Sequence, residues 1–239
     1  MNNPIDVLCQ MIDDSSNIVF FGGAGVSTES GIPDFRSVDG LYAQQFAHPP
    51  EVMLSHSFFR SHPAEFYHFY RSKLLTDGIK PNQAHIALAK LEAAGKLKAV
   101  ITQNIDGLHQ AAGSQNVLEI HGTTHENFCM QCKQPYGIEV IKAAAEIPTC
   151  DCGGMIKPNV VLYEESLNMR LMRRAEQYIS EADMLIIGGT SLAVYPAAGL
   201  VYHYRGDKLV MINNAETSFD ERVDLIIRDR IGKVLGRVV

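Results

Sequence analysis

The sequence predicts an α/β fold: a Rossmann-like, mainly parallel sheet with helices on both faces, carrying a small zinc-binding module and a helical insertion. Three observations predict it. Short apolar runs fit for buried strands, at 18–21, 98–102, 117–120, 159–163, 184–187, 208–212 and 223–227, alternate with stretches of helical spacing. Four of the five cysteines fall between positions 129 and 152. Most of the apolar runs end in glycine-rich or polar groups, where ligands bind in sheets of this kind.

In chain order, residues 4–14 place Ile5, Val7, Leu8, Met11 and Ile12 at roughly helical spacing. The run 18–21 then enters a turn rich in glycine, the kind that offers backbone N–H groups to a phosphate. Residues 37–50 show no periodicity and contain Gly40, Pro49 and Pro50, which predicts a mobile loop over a site. The segment 57–75 is aromatic at helical spacing, with Pro63 opening a second helix. Asn82 caps a helix through 94 that Gly95 ends. A short helix or turn follows at 104–112, and further helices are expected at 168–180, after Pro196 and at the C-terminus. The division expected is a large nucleotide-binding part (1–36, 81–122 and 158–239) and a small part made of 37–80 and a zinc ribbon at 123–157.

With 239 residues, 46% hydrophobic and 20% charged, the chain can bury a sizeable core. No apolar run approaches a membrane span and the N-terminus lacks the order of a secretion signal, so the expectation is a cytoplasmic protein without a membrane partner. A net charge of −6 argues against nucleic acid as a partner and fits basic peptides.

Cys129-x-x-Cys132 followed by Cys150-x-Cys152 is a tetrathiolate zinc pattern. Four sulfurs close the coordination sphere, so the zinc is structural; buried free thiols are the alternative. Cys9 reads as a core residue. The glycine loop lacks the third glycine of G-x-G-x-x-G, since Thr28 stands there, and no acidic second strand follows. Both points disfavour a hydride-transferring dehydrogenase. The alternative for the loop is a tight turn without ligand, and for Asn104 or Asp106 a helix cap. Asp34, Phe35 and Arg36 offer an acid, a ring that can shield a reactive sugar carbon, and a diphosphate partner. Gln103, Asn104 and Asp106 suit recognition of a carboxamide or ribose. His121, after a strand and beside Gly122, is the candidate general base. His85 and His109 read as packing or hydrogen-bonding residues.

These motifs together resemble the sirtuin family, the NAD-dependent protein lysine deacylases, in their bacterial form. The resemblance covers nearly the whole chain: GAGVS (23–27), GIPDFR (31–36), TQNIDGLH (102–109), HG (121–122), the four cysteines, PNVV (158–161), GTS (189–191) and Asn213. It implies that Gly23, Ala24, Gly25, Ser27, Thr28, Asp34, Phe35 and Arg36 line the NAD pocket, with 37–50 as a mobile cofactor loop. Gln103 and Asn104 would hold the nicotinamide ribose, Asn104 acting in catalysis with His121, and Ile105 and Asp106 would grip the carboxamide. Gly189, Thr190, Ser191 and Asn213 would hold the diphosphate and adenosine. Val161, Leu162 and Tyr163 would be an edge strand on which an acetyl-lysine peptide adds. It further implies attack of the acyl-lysine carbonyl oxygen on the ribose, with His121 deprotonating the sugar and zinc taking no part. The products would be nicotinamide, 2′-O-acyl-ADP-ribose and free lysine. NAD-dependent ADP-ribosyl transfer to protein, and a non-catalytic NAD- or zinc-binding module, are the competing readings.

Three positions depart from the family pattern: the tight Cys150-x-Cys152 spacing, Lys157 where many relatives have arginine, and Glu164 where many have glycine. In place of the Tyr-x-x-Arg of desuccinylating relatives stands Tyr67-x-x-Tyr70, with Arg71 one place late. No cation is then expected at the acyl group, and acetyl or apolar acyl groups are predicted over succinyl.

Overall fold

A computed structural model of the chain describes residues 3–35, 40–44, 46, 48–75 and 78–239. Helix α1 (Pro4–Asp13) starts with Pro4 in its first turn and the Asn3 side chain accepting from the Ile5 N–H, and it buries Leu8 and Ile12. Strand β1 (Ile18–Gly22) is buried at every position, as its unbroken apolar run requires of a central strand. The part of the 37–50 stretch that is described forms a 3-10 turn, Leu41–Ala43, strapped back by N–H bonds of Leu41 to Asp34 O (2.9 Å) and of Tyr42 to Phe35 O (2.9 Å). Three helices follow: α2 (Pro50–Met53), α3 (His56–Ser61) and α4 (Pro63–Lys73), the last opened by Pro63. Next come α5 (Gln83–Ala93), capped reciprocally by Asn82 and His85, then β2 (Leu97–Thr102), α6 (Leu108–Ala111) and β3 (Val117–Glu119). The cysteine region comprises β4 (Gly122–Cys129), β5 (Pro135–Gly137), α7 (Ile138–Ala143) and β6 (Ile156–Val160). The chain closes with α8 (Met169–Glu181), β7 (Met184–Gly188), β8 (Leu209–Ile212), β9 (Leu225–Ile227) and α9 (Ile231–Val238).

Six strands form a parallel sheet in the order β3-β2-β1-β7-β8-β9. Its two faces sort the residues of each strand alternately. Val19, Phe21, Ile101, Leu185 and Ile187 pack against α8 and the turn Ala197–His203. Ile18, Phe20, Val100, Ile186 and Val210 pack against α1, α5 and α9. Burying each such large side chain contributes about 1.5–3 kcal/mol. Strand order reverses between β1 and β7, so the crevice beyond their carboxyl ends is where a ligand is expected. A third, aromatic core holds Phe58, Phe59, Phe66, Tyr67, Phe69 and Tyr70 of the helical insertion against Cys129, Cys150, Ile156 and Val160.

Two expected elements differ. The strand predicted at 159–163 lies instead at Ile156–Val160 and belongs to a separate antiparallel sheet, β5-β4-β6. Beyond Val160 the N–H groups diverge: Val161 donates to His121 O (2.9 Å), Leu162 to the Glu165 carboxylate (2.9 Å) and Tyr163 to Leu54 O (3.0 Å). The expected edge strand Val161, Leu162 and Tyr163 is therefore a tethered ledge rather than a ladder. The helix after Pro196 is a 3-10 helix, Ala197–His203, with Gly199 inside it.

Candidate active site

The segments beyond the carboxyl ends of all six parallel strands meet at one cavity of about 540 Å³, with Asp229, Arg230 and Ile231 coming from β9. After β1 come Ala24, Gly25, Ser27, Thr28, Asp34 and Phe35; after β2 come Gln103, Asn104, Ile105 and Asp106; after β3 comes His121; after β7 come Gly189, Thr190 and Ser191; after β8 comes Asn213. All line the cavity, together with Val161, Leu162 and Tyr163. Gly23 stands one residue before this lining, and Arg36 lies outside the described residues.

The first and fourth loops touch through backbone. Gly25 N–H donates to Gly189 O (2.8 Å), and a Cβ on Gly25 would stand 2.8 Å from Gly189 Cα. At Gly189, φ is +58° and a Cβ would meet Val26 N at 2.4 Å, so neither position admits a side chain. The result is a backbone-lined cradle at the switch point, kept free of side chains so that a diphosphate can approach closely.

A chain of hydrogen bonds fixes the second loop. Asn104 Nδ2 donates to Ser27 Oγ (3.1 Å), and Ser27 Oγ donates to Asp106 Oδ2 (2.7 Å). Asp106 Oδ1 accepts from the Leu108 N–H (2.9 Å), so this carboxylate caps α6 while also forming cavity wall. Thr190 Oγ1 donates to Gln103 Oε1 (2.9 Å), joining the loops after β2 and β7.

His121 Nδ1 lies 3.2 Å from Gln103 O. A carbonyl only accepts, so Nδ1 carries the proton and Nε2 is left with its lone pair. Burial lowers the pKa of His121 from its ordinary value, against the opposing effect of the Gln103 bond. A neutral imidazole with a bare Nε2 at neutral pH is a competent general base. Gly122 is required behind it: φ is +80°, and a Cβ would meet Asn159 O at 2.0 Å.

Sequence reasoning missed the groups that hold the ledge. Lys157, only 7% exposed, donates through Nζ to Val160 O (3.0 Å), Pro158 O (3.3 Å) and Glu165 Oε2 (3.1 Å). Glu165 Oε1 bonds His56 Nδ1 at 2.8 Å. Burial lowers the Lys157 pKa while Glu165 opposes the shift. Burial also acts to raise the Glu165 pKa, but the Leu162 N–H, His56 and Lys157 together bring it down. Lys157, already noted as a departure from the family pattern, was the available signal. Glu164 has φ +74°, and its carboxylate accepts from the Ser57 N–H (2.8 Å) and Ser57 Oγ (2.9 Å). Arg71 points away from the cavity, donating to Glu146 O (2.8 Å). Lys73, unforeseen, does line the cavity, with its Nζ on Gln44 Oε1 (2.9 Å).

The four cysteine sulfurs lie within 4.8 Å of one another, with Cys129–Cys152 and Cys132–Cys150 each 3.5 Å apart. Four thiolates about 2.3 Å from a tetrahedral zinc stand about 3.8 Å apart, so this donor set fits the ion. Tyr136 OH donates to Cys150 Sγ at 3.0 Å, orienting one of these sulfurs. Among the described residues no helix is long and apolar enough to cross a membrane.

The model of the Sir2 family matches residues 23–196. The chain is 56% identical over 239 residues to an NAD-dependent protein deacetylase of Clostridium acetobutylicum, covering 98% of each. It is also 56% identical to that of Clostridium perfringens, covering all of both. Among solved structures, a Sir2 enzyme superposes with a TM-score of 0.90 at 40% identity, over 100% of this chain and 97% of the other. Sir2 bound to a p53 peptide and NAD+ superposes at 0.87 with 40% identity, again over 100% and 97%.

Proposed function

The chain belongs to the Sir2 family, and from that membership we propose that it is an NAD-dependent protein-lysine deacetylase. It transfers the acetyl group of an acetyl-lysine side chain to ADP-ribose, giving nicotinamide, 2′-O-acetyl-ADP-ribose and free lysine. The observation that carries this reading is His121, neutral and oriented by Gln103 O, in the same cavity as a backbone-lined diphosphate cradle.

When bound, NAD supplies an electrophilic ribose carbon. The residues of the chain supply the rest. Gly25 and Gly189 keep the cradle free of side chains, with Gly23, Ala24, Thr28, Ser191, Asn213 and Arg36 assigned to the dinucleotide. Ser27, Asn104 and Asp106 form a pre-set polar wall for ribose and carboxamide, whose groups need no reorganisation on binding. Phe35 shields the reacting centre from water. His121 accepts a proton from the ribose at Nε2 while its Nδ1–H stays on Gln103 O. Val161, Leu162 and Tyr163 receive the peptide, held in place from beneath by Lys157 and Glu165. Cys129, Cys132, Cys150 and Cys152 hold a structural zinc in the small sheet, away from the chemistry. Cysteines that ligate rather than pair suit a reducing, cytoplasmic setting.

The test is mass spectrometry of NAD and an acetyl-lysine peptide with the enzyme. Nicotinamide and O-acetyl-ADP-ribose appear together; ADP-ribosylated protein in their place overturns the reading. His121→Ala should lower kcat by about 10²–10⁴-fold with NAD binding retained.

A further inference from the structure

We infer that Glu164 sets sequence preference, its carboxylate pairing with a basic side chain of the substrate a few residues from the acetyl-lysine. The inference rests on the reading above, in which the peptide lies on the ledge formed by Val161, Leu162 and Tyr163.

Three features of the site carry it. First, Glu164 is exposed, lines the cavity and follows Tyr163 directly. Val161 is tied to His121 O, so the reacting acetyl group sits at the Val161 end. Glu164 is three residues further along, which a chain spans in about 10 Å at most. A side chain two or three positions from the acetyl-lysine comes within its reach.

Second, its charge is held in place yet uncompensated. Both carboxylate oxygens accept from Ser57, through N–H and Oγ, and both partners are neutral. No ion pair to Glu164 occurs among the described residues, whereas the neighbouring Glu165 is paired with Lys157 and His56. Each oxygen keeps a further lone-pair direction for an incoming cation. Anchoring removes much of the rotamer entropy that an exposed ion pair otherwise loses.

Third, the backbone at Glu164 is in the left-handed region, at φ +74°, where glycine is favoured and a long side chain is not. Local geometry therefore opposes glutamate here, and the Ser57 contacts hold it in spite of that. Strain retained at the rim of a site accords with a functional role for the side chain.

The experiment uses the full-length protein with its zinc and a set of acetyl-lysine peptides. Arg, Ala or Glu is placed at each of three positions on either side of the acetyl-lysine, and kcat and KM are measured at 50 mM and 500 mM salt. At one position Arg should lower KM about five- to tenfold relative to Glu at low salt, and high salt should shrink that ratio. Glu164→Gln and Glu164→Gly should each bring the ratio near one with kcat for the Ala peptides unchanged. Equal KM for all peptides in the wild type overturns the inference, as does a preference that survives Glu164→Gln. A preference lost in Glu164→Gly but kept in Glu164→Gln assigns the effect to backbone geometry and also overturns it. Turnover of every peptide without preference leaves the deacetylase reading intact, whereas absence of nicotinamide release with any peptide removes both.

Discussion

His109→Leu should leave the protein at least as stable at neutral pH and distinctly more resistant to acid. His85 and His109 are buried behind the polar wall of the cavity, their ring centroids 4.7 Å apart. His85 Nδ1 accepts the Asn82 N–H at 3.2 Å, closing the cap of α5, which requires the neutral ring. Among the described residues neither ring nitrogen of His109 has a partner. Burial lowers the pKa of His85 to about 4, with Asp106 opposing; burial and then His85 lower that of His109 to about 3. Both folded values lie below the unfolded value near 6.5. The unfolded chain therefore binds protons first on acidification. Stability is full above about pH 6.5 and falls as pH drops through the window from 6.5 to 4 for His85 and to 3 for His109. Integrated from pH 7 to pH 5, each ring accounts for up to about 2 kcal/mol of lost stability. Leucine at 109 fills similar space, cannot protonate, and removes two buried nitrogens whose desolvation is unrelieved. The assay is urea unfolding followed by circular dichroism, since the chain has no tryptophan. Wild type and variant are compared at pH 7 and pH 5. Zinc loss at low pH affects both alike, so the difference isolates His109. The variant should lose about 2 kcal/mol less than wild type over that interval. Losses agreeing within about 0.5 kcal/mol would refute the reasoning.

Three further outcomes are expected. Removing zinc with a strong chelator should release one metal per chain and melt the small sheet, since ligand set and folding are coupled; Tyr136→Phe should speed that release about tenfold, and a metal-free protein with an unchanged Tm would contradict the assignment. The acid limb of kcat/KM should have its midpoint below pH 6.5, because burial lowers the pKa of the base His121, which is active when deprotonated; a midpoint at or above 6.5 would argue against His121 as that base.

Much of the fold is legible in local pattern. The run 18–21 is apolar without alternation, and β1 is buried on both faces. Asn82 and Pro63 announce the starts of α5 and α4, since capping and a fixed φ act within one turn. The cysteine spacing identifies a metal site because four sulfurs must converge, whatever their environment. The position of the cavity follows from strand-end chemistry.

The rest required the tertiary structure. The run 159–163 reads as a further strand of the parallel sheet, yet the strand formed is Ile156–Val160, with Lys157, Pro158 and Asn159 inside it, and it pairs with β4 in a second sheet. Hydrophobic periodicity encodes burial and not the identity of the neighbour. Lys157 reads only as a departure from the family pattern until Glu165, itself held by His56, is brought beside it. The contact of Gly25 with Gly189, and the tie of His121 to Gln103, join loops far apart in sequence, and no local signal specifies them. By itself the sequence determined which residues are apolar, which turns are possible and which side chains can do acid–base or metal chemistry. Only the tertiary structure decided which of them meet, because contact between distant loops is set by strand order and packing of the whole sheet. On that same ground it left Glu164 in a backbone conformation its side chain disfavours, held by a serine 107 residues away in the chain.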